Sequence, residues 1–311
     1  MILNRKEIIK AYPWINKKNQ KFIISADYNG LICASFLSHI LNWKLVGYYD
    51  LESLWVNKKD VEKYENIIWV DLNILPKMGK AIGGHIVSFK GQTPRGFDTS
   101  CNPNLLAHLT AENFKNKFPF STLIFLLWLH NYQIKKTLFA RLLVLHSDDT
   151  WLKCQQYNKN VNQWTEILTD FNWKWLLQKI DKLMFEERID QILYPELNNI
   201  GAISTFGKLN SKKLNITSKQ FQFNPDWDEN IILNLFNLFG NELDWTPPKL
   251  PIIDQSFIGV RNKIDINKVK DIGLSKFLLE KSVFSYAISS PKIFNYTSFK
   301  KNKKTHILSQ K

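Results

Sequence analysis

The chain has 311 residues, of which 44% are hydrophobic and 14% aromatic, and this composition excludes a disordered or fibrous protein. Its length fits one large domain or two ordinary ones. Forty-two Lys and Arg residues against 28 Asp and Glu residues give a formal net charge of +14. Such a surplus favours a polyanionic partner such as nucleic acid, a nucleotide or an anionic membrane. An AT-rich genome, which raises Lys, Asn and Ile together, is the alternative source of the charge.

Three features predict a soluble, cytoplasmic protein that makes no contact with a membrane. Residues 1–7 contain no apolar run after their basic residues, so no secretory signal peptide is predicted. Three scattered cysteines are too few for a disulfide framework or a zinc cluster. The most apolar stretch, residues 118–129, is shorter than the roughly 18–20 residues that a membrane span requires, and it is predicted to form a buried helix.

The first half of the chain alternates short strand patterns with helical ones. β-Branched and aromatic residues form short runs that predict strands at 22–25, 45–49, 67–70 and 85–89. Between the first two strands, apolar residues recur at helical spacing from Leu31 to Trp43. The strand runs do not alternate with polar residues, which is typical of parallel strands buried on both faces. We therefore predict an α/β fold with a parallel sheet flanked by helices.

The second half is predicted to be helical first and mixed afterwards. The apolar spacing predicts helices at 121–129, at 164–184, and at 231–239, where Gly240 would close the helix, and residues 136–145 form another apolar segment. Residues 245–248 are predicted to be a loop, and residues 300–304 a basic tail. Because the pattern changes near residue 190, we predict an α/β domain over residues 1–190. A smaller mixed α+β domain would cover residues 191–311, with substrate binding as one option for its role.

Several polar residues follow the predicted strands or apolar segments. Asp27 and Asn29 follow the first strand, Asp50 the second and Asp71 the third; Gly83-Gly84-His85 opens the fourth, and Asp148-Asp149 follows a later apolar segment. Ligands bind beyond the carboxyl ends of parallel strands, so we expect these side chains to meet at one edge of the sheet. Oxygen and imidazole ligands suit Mn²⁺ or Mg²⁺, ions that activate water and hold phosphate oxygens during phosphodiester hydrolysis.

The order of these motifs resembles that of the DHH phosphoesterase superfamily, in its RecJ-like branch. Residues 25–30 (Ser-Ala-Asp-Tyr-Asn-Gly) resemble its first motif and residues 70–72 its second; residues 82–87 occupy the place of its third, and residues 146–149 resemble its fourth. The resemblance covers roughly the first half of the chain. It implies a DHH-like metal-dependent phosphodiesterase or nuclease that acts on single-stranded nucleic acid or on nucleotides.

The resemblance also implies roles for individual residues. The metal ligands would be Asp27, Asn29, Asp71, His85 and Asp149, and Asp27, Asp71 and His85 would also be catalytic. The chain departs from the family pattern at Asn29, where the family has an aspartate, and at Gly83-Gly84, which precede His85 where the family has Asp-His-His. These departures remove two ligands and leave open whether two ions, one ion or none is bound.

Two functions therefore stay open. One is the active hydrolase, and the other is a catalytically inactive relative that binds nucleic acid or a protein partner as a regulatory or structural subunit, for example in phage conflict. Asn102 and Asn104 are candidate substrate-binding residues, although Asn-Pro is also common turn chemistry. Asp27 could equally be a helix N-cap, and Asp148-Asp149 an ordinary turn.

Overall fold

The computed structural model describes residues 1–61, 66–72, 74, 80–89, 97–203 and 209–299. Within these ranges the fold is α/β, as predicted, with a mostly parallel seven-stranded sheet and a separate three-stranded antiparallel sheet. The predicted basic tail at 300–304 lies outside the described residues. No helix in the described ranges is both long enough and apolar enough to cross a membrane.

The chain forms two compact units, each assembled from segments that are distant in sequence. Unit 1 comprises Met1–Ile8, Ala26–Ile40 and Phe118–Pro248, and unit 2 comprises Ile9–Ser25, Leu41–Lys117 and Lys249–Lys311. The predicted division of the chain at residue 190 stays a prediction.

Unit 2 contains both sheets. Its strands are β1 (Lys21–Ser25), β2 (Lys44–Tyr49), β3 (Ser53–Val56), β4 (Ile67–Val70), β5 (Lys80–Ile82), β6 (Ser100–Cys101), β7 (Gln255–Ile258), β8 (Val260–Asp265), β9 (Val283–Ser290) and β10 (Ile293–Ser298). The larger sheet has the order β6-β5-β4-β1-β2-β3-β7, in which β3 pairs antiparallel with β2 and β7. The smaller sheet has the order β8-β10-β9.

The order of the parallel strands reverses between β1 and β4. The chain runs from β1 to β2 on one side and later returns to β4 on the other side, before it continues outward to β5 and β6. Ile24 pairs with Val70, and Val70 pairs with Ile82, so β1, β4 and β5 end next to one another. In open α/β sheets such a reversal leaves a crevice at the carboxyl ends of the strands, where ligands bind.

The helices lie in both units. They are α1 (Arg5–Ala11), α2 (Tyr28–Leu41), α3 (Pro103–Leu106), α4 (Thr122–Leu129), α5 (Leu138–His146), α6 (Thr150–Gln156), α7 (Asn158–Ile167), α8 (Trp173–Leu177), α9 (Leu183–Arg188), α10 (Tyr194–Asn199), α11 (Glu229–Leu243), α12 (Ile266–Ile272) and α13 (Leu274–Glu280). Short 3₁₀ helices occur at Pro13–Asn16, Phe97–Thr99, Ala111–Asn116 and Ser147–Asp149, and a π-helical turn, Ile189–Leu193, joins α9 to α10. The helix α4 is buried along its length, as predicted. Ser121 caps it by accepting a hydrogen bond from the Ile124 N–H at 3.3 Å.

The predicted strand at residues 85–89 is wrong. The parallel strand at this place is β5, which ends at Ile82, so His85 follows a strand instead of opening one. Ile86 and Val87 leave the sheet and lie buried in an apolar cluster with residues of α12, α13 and β9. A run of β-branched residues reports burial, and here the burial comes from this cluster and not from strand pairing.

Two predicted helix boundaries are also wrong. The helix expected at 164–184 is divided into α7, α8 and the start of α9, and Asp170 and Lys179 between them have φ values of 59° and 54°. Such left-handed backbone ends a right-handed helix. Gly240 does not close α11, which continues to Leu243 and ends at Asp244, with a φ of 58°.

Gly47 in β2 is required by the close approach of β3. A Cβ atom at Gly47 would lie 2.4 Å from the backbone oxygen of Trp55. We expect Gly47→Ala to lower the free energy of unfolding by about 2–3 kcal/mol, because the strands would have to move apart. Urea denaturation measures this change. Gly83→Ala is the control, since its Cβ would meet its nearest neighbour at an ordinary 3.4 Å; equal losses in the two variants would contradict the explanation.

Candidate functional site

Asp71 directly follows β4, at the reversal of strand order. Its φ is 62°, in the left-handed region that aspartate tolerates better than most residues. Its N–H donates to the carbonyl of Ile82 on β5 at 2.7 Å. The residue is only 5% exposed. The backbone thus holds a buried carboxylate at the carboxyl edge of the sheet, and an uncommon backbone conformation at such an edge is frequent in functional sites.

The Asp71 carboxylate contacts one side chain from each neighbouring strand. Ser25, the last residue of β1, donates its hydroxyl to Oδ2 at 2.7 Å. His85, which follows β5, places Nε2 2.9 Å from Oδ1. Asp71 and His85 therefore meet at the carboxyl edge. The predicted meeting is present, but His85 reaches this edge because it follows β5, whereas the predicted strand at 85–89 would have placed it at the amino end of a strand. No role for Ser25 was predicted from the sequence, although its position as the last residue of the first strand was the available signal.

His85 is the solvent-facing member of this group. Its side chain is 30% exposed, whereas that of Asp71 is 2% exposed. An ionised carboxylate only accepts hydrogen bonds, so a neutral His85 must carry its proton on Nε2 and leave Nδ1 as an acceptor. The pair therefore presents an oriented imidazole at the rim, supported by a buried negative charge.

This geometry predicts the tautomer of His85. We expect ¹⁵N chemical shifts of the neutral ring to show a protonated Nε2 and an unprotonated Nδ1, because the carboxylate of Asp71 faces Nε2. Long-range ¹H–¹⁵N correlation spectra measure these shifts, and the His85→Gln variant assigns the signals. A neutral ring with its proton on Nδ1, or an even mixture of tautomers, would be inconsistent with the Asp71–His85 hydrogen bond.

Asn102 and Asn104 are fully buried and bond inside unit 2. The Asn102 side chain caps α3, since its Oδ1 accepts from the Asn104 N–H at 2.9 Å. The Asn104 amide donates from Nδ2 to the carbonyl of Gly84 at 2.8 Å. Both residues are 0% exposed. A direct contact between either side chain and a substrate would require these internal bonds to open.

Asp27 and Asn29 lie in unit 1, at the start of α2. Asp27 Oδ1 accepts from the Gly30 N–H at 2.8 Å, which is the hydrogen bond of an N-cap. Asn29 is 3% exposed, and its Oδ1 accepts from the Cys33 thiol at 3.7 Å. Within the described residues, its Nδ2 has no hydrogen-bond partner. Asp27 is therefore the N-cap of α2, which was one of the two interpretations of this residue from the sequence.

Asp148 and Asp149 lie in unit 1, directly after α5. Both have left-handed backbone, with φ values of 51° and 56°. Asp148 forms an ion pair with Lys153, with Oδ2 2.7 Å from Nζ. Asp149 is 3% exposed and accepts a hydrogen bond from the hydroxyl of Ser218. Two successive aspartates with positive φ form a tight and unusual connection between α5 and α6.

One segment of unit 1, residues 218–222, contacts several of these candidate positions. Ser218 bonds to Asp149, and Gln222 pairs with Asp27 in an isolated antiparallel bridge. Between them, Gln220 donates from Nε2 to the carbonyl of His146. No motif was predicted in this segment from the sequence, although its polar residues at alternate positions were the available signal. Asp27 and Asp149 thus border one segment of unit 1.

The Asp71–His85 pair satisfies a simple geometric test for a metal ion. Neighbouring ligands of an octahedral Mg²⁺ or Mn²⁺ ion, with bonds of about 2.1 Å, lie about 3.0 Å apart. The separation of Asp71 Oδ1 and His85 Nε2 is 2.9 Å. Within the described part of the chain, no group of three or more His, Cys, Asp or Glu side chains is placed to share an ion. An ion bound by both atoms would replace the proton on Nε2 and its hydrogen bond to Oδ1, and its other positions would be filled by water or phosphate oxygens, as is common for Mg²⁺.

Comparisons of the chain with protein-family models, with curated proteins and with solved structures found no match. The resemblance to the DHH phosphoesterase superfamily stays a prediction that rests on the four motifs.

Proposed function

We propose that the protein is a DHH-like metal-dependent phosphodiesterase or nuclease that acts on single-stranded nucleic acid or on nucleotides, with Asp71 and His85 at its centre. The observation that supports this proposal is their 2.9 Å contact beside the reversal of strand order. The net charge of +14 is consistent with a polyanionic substrate.

Asp71 and His85 would hold one Mn²⁺ or Mg²⁺ ion, which when bound would lower the pKa of a water molecule and neutralise phosphate charge. Ser25 occupies Oδ2 of Asp71 and so leaves Oδ1 as the oxygen that faces His85. The burial of Asp71 excludes bulk water and strengthens its interaction with a positive charge. Asp27, Asn29 and Asp149 lie in unit 1, and their assignment to metal binding stays a prediction of the resemblance.

A second candidate function is that of a catalytically inactive, nucleic-acid-binding or regulatory subunit. It is favoured by the fact that both carboxylate oxygens of Asp71 already have partners within the protein. Asn29 and Gly83-Gly84, which depart from the motifs of the superfamily, support the same alternative.

A cleavage assay separates the two candidates. End-labelled single-stranded DNA, single-stranded RNA and dinucleotides are incubated with the full chain in the presence of Mn²⁺, Mg²⁺ or a chelator. The hydrolase is expected to release products with Mn²⁺ or Mg²⁺ and none with the chelator. Product formation no greater than that of an Asp71→Ala variant would reject the hydrolase and favour the inactive subunit.

Binding of single strands gives a prediction that does not depend on cleavage. If Lys and Arg side chains neutralise phosphates, the logarithm of the binding constant should fall linearly with the logarithm of the salt concentration, with a slope of about −0.7 per phosphate contacted. Fluorescence anisotropy of a labelled oligonucleotide between about 50 and 200 mM salt measures this slope. A flat response would show that the net charge does not serve phosphate binding.

A further inference from the structure

A buried hydrogen bond holds the turn that carries His85. The amide of Asn104 donates to the carbonyl of Gly84 at 2.8 Å, and Asn104 is 0% exposed. Gly84 is buried and immediately precedes His85. Asn104 therefore acts on the backbone one peptide away from the exposed imidazole.

The segment that follows His85 is also held. The Ser88 N–H donates to the carbonyl of Leu109 at 2.9 Å, and Ile86 and Val87 are both 0% exposed. On this side His85 is thus followed by residues that packing and backbone bonds fix in place. On the other side, the Gly83 N–H donates to the carbonyl of Cys101 at 3.4 Å. Gly83 and Gly84 have no side chains to pack, so the bond from Asn104 adds a side-chain contact that fixes the peptide next to His85.

Asn104 is itself well placed to act as a fixed donor. Its N–H bonds to the Asn102 side chain at 2.9 Å, and its carbonyl accepts from the Leu109 N–H at 2.8 Å. A buried carbonyl that loses its donor destabilises the fold, and a glycine turn can relieve that cost by rotating. Such a rotation would move His85 relative to Asp71.

We propose that Asn104 is a positioning residue that sets the orientation of His85 toward Asp71. The inference rests on the proposed function of the Asp71–His85 pair and deepens it. Asn104 acts through the peptide of Gly84 and contacts neither a substrate nor the reacting atoms. An error of about 1 Å in the position of a reacting group lowers a rate by as much as about 100-fold, so this single bond matters for turnover.

The test compares two Asn→Asp substitutions in the full chain. Asn104→Asp keeps the shape of the side chain but replaces its Nδ2 donor by an acceptor that faces the Gly84 carbonyl. Asn113→Asp is the matched control, because Asn113 acts through Oδ1 as an acceptor for the Thr110 N–H at 2.6 Å, and aspartate retains that role. The two measurements are the ¹⁵N tautomer signature of His85, and kcat and KM for cleavage of a single-stranded oligonucleotide with Mn²⁺.

We expect Asn104→Asp to give a mixture of His85 tautomers and a kcat about 10- to 100-fold lower, with KM changed less than about twofold. Asn113→Asp should leave both measurements as in the unmodified chain. An unchanged tautomer in Asn104→Asp, a raised KM at constant kcat, or equal effects of the two substitutions would each overturn the proposal. If Asn104→Asp does not fold, the same measurements are made on Asn104→Ser, whose side chain is too short to reach the Gly84 carbonyl, and the same results support or overturn the proposal.

The spectra separate this proposal from the proposed function. If the unmodified chain cleaves no substrate, the hydrolase is rejected, whereas the tautomer of His85 in Asn104→Asp still decides whether Asn104 positions the ring.

Discussion

Asp71→Asn is expected to lower kcat/KM for Mn²⁺-dependent cleavage by at least about 100-fold. The substitution removes the buried negative charge that would bind the ion and support His85, and interactions of this kind are worth roughly 10²–10³ in rate. Asparagine has nearly the same shape and accepts the left-handed backbone found at this position. The fold should therefore survive, and the loss can be measured by steady-state kinetics over a range of Mn²⁺ concentrations.

Asp50→Asn is the matched control for this substitution. Asp50 follows β2, which lies beside β1 in the same sheet, but Asp50 is exposed, and its Oδ1 accepts from the Ser53 N–H. An asparagine keeps that acceptor, so activity should change less than about threefold. If Asp71→Asn retains full activity while its thermal unfolding is unchanged, Asp71 is not the centre of the reaction.

Acidification from pH 7 to pH 4 is expected to destabilise unit 1 strongly because of its buried histidines. Burial lowers the pKa of His146 to about 3 and that of His130 to about 4. Within the described residues, neither ring has a hydrogen-bond partner at Nε2. Both rings are therefore held neutral in the folded chain, where a proton would be costly.

The direction of the effect follows from proton binding. The unfolded chain binds a proton at each histidine near the ordinary pKa of 6.5, whereas the folded chain does so only near 3 or 4. Stability is therefore complete above about pH 6.5 and is lost as the pH falls below that value. At pH 4 the loss from His146 alone is about 3 kcal/mol, a large part of the usual total stability of a domain.

Urea denaturation of His146→Gln over the range from pH 7 to pH 4 measures this contribution. Glutamine does not titrate, so the free energy of unfolding should depend less steeply on pH in this variant. This expectation holds even if the substitution also changes the free energy of unfolding at pH 7. His108→Gln replaces an exposed histidine and is the control, for which the slope should stay the same. An identical slope for the His146 variant and the unmodified chain would show that burial of His146 does not govern the acid response.

Local sequence patterns predicted those elements whose burial comes from their own neighbours along the chain. The runs at 22–25, 45–49 and 67–70 correspond to β1, β2 and β4, and the apolar run predicted as a helix at 121–129 corresponds to α4. The patterns missed β3, and they did not connect it with β7, about 200 residues later. Pairing between such distant strands depends on which surfaces fit together, and that property is not visible in a short window of sequence.

The strand-end rule placed Asp71 at the carboxyl edge because parallel strands bring their carboxyl ends together. His85 lies at the same edge because the strand before it ends at Ile82, which the predicted strand at 85–89 did not show. The rule did not reveal Ser25 as the second partner of Asp71, nor Asn104 as the donor to Gly84. Ser25 and Asn104 are short polar residues, and such residues are common at strand ends and in turns without any functional role. Their roles depend on a register of one residue, and one residue reverses the side to which a side chain points.

The amino-acid sequence by itself determined the α/β class and the meeting of an aspartate with a histidine. Periodic burial and the geometry of parallel strands are properties of short segments, so patterns of neighbouring residues in the sequence are enough to predict them. Only the tertiary structure decided which oxygen of Asp71 faces His85, which residues hold the turn beside it, and that Asp27 and Asp149 border one segment of unit 1. Those details depend on contacts between segments far apart in the chain, because hydrogen-bond geometry is specified to a few tenths of an ångström and local patterns are not.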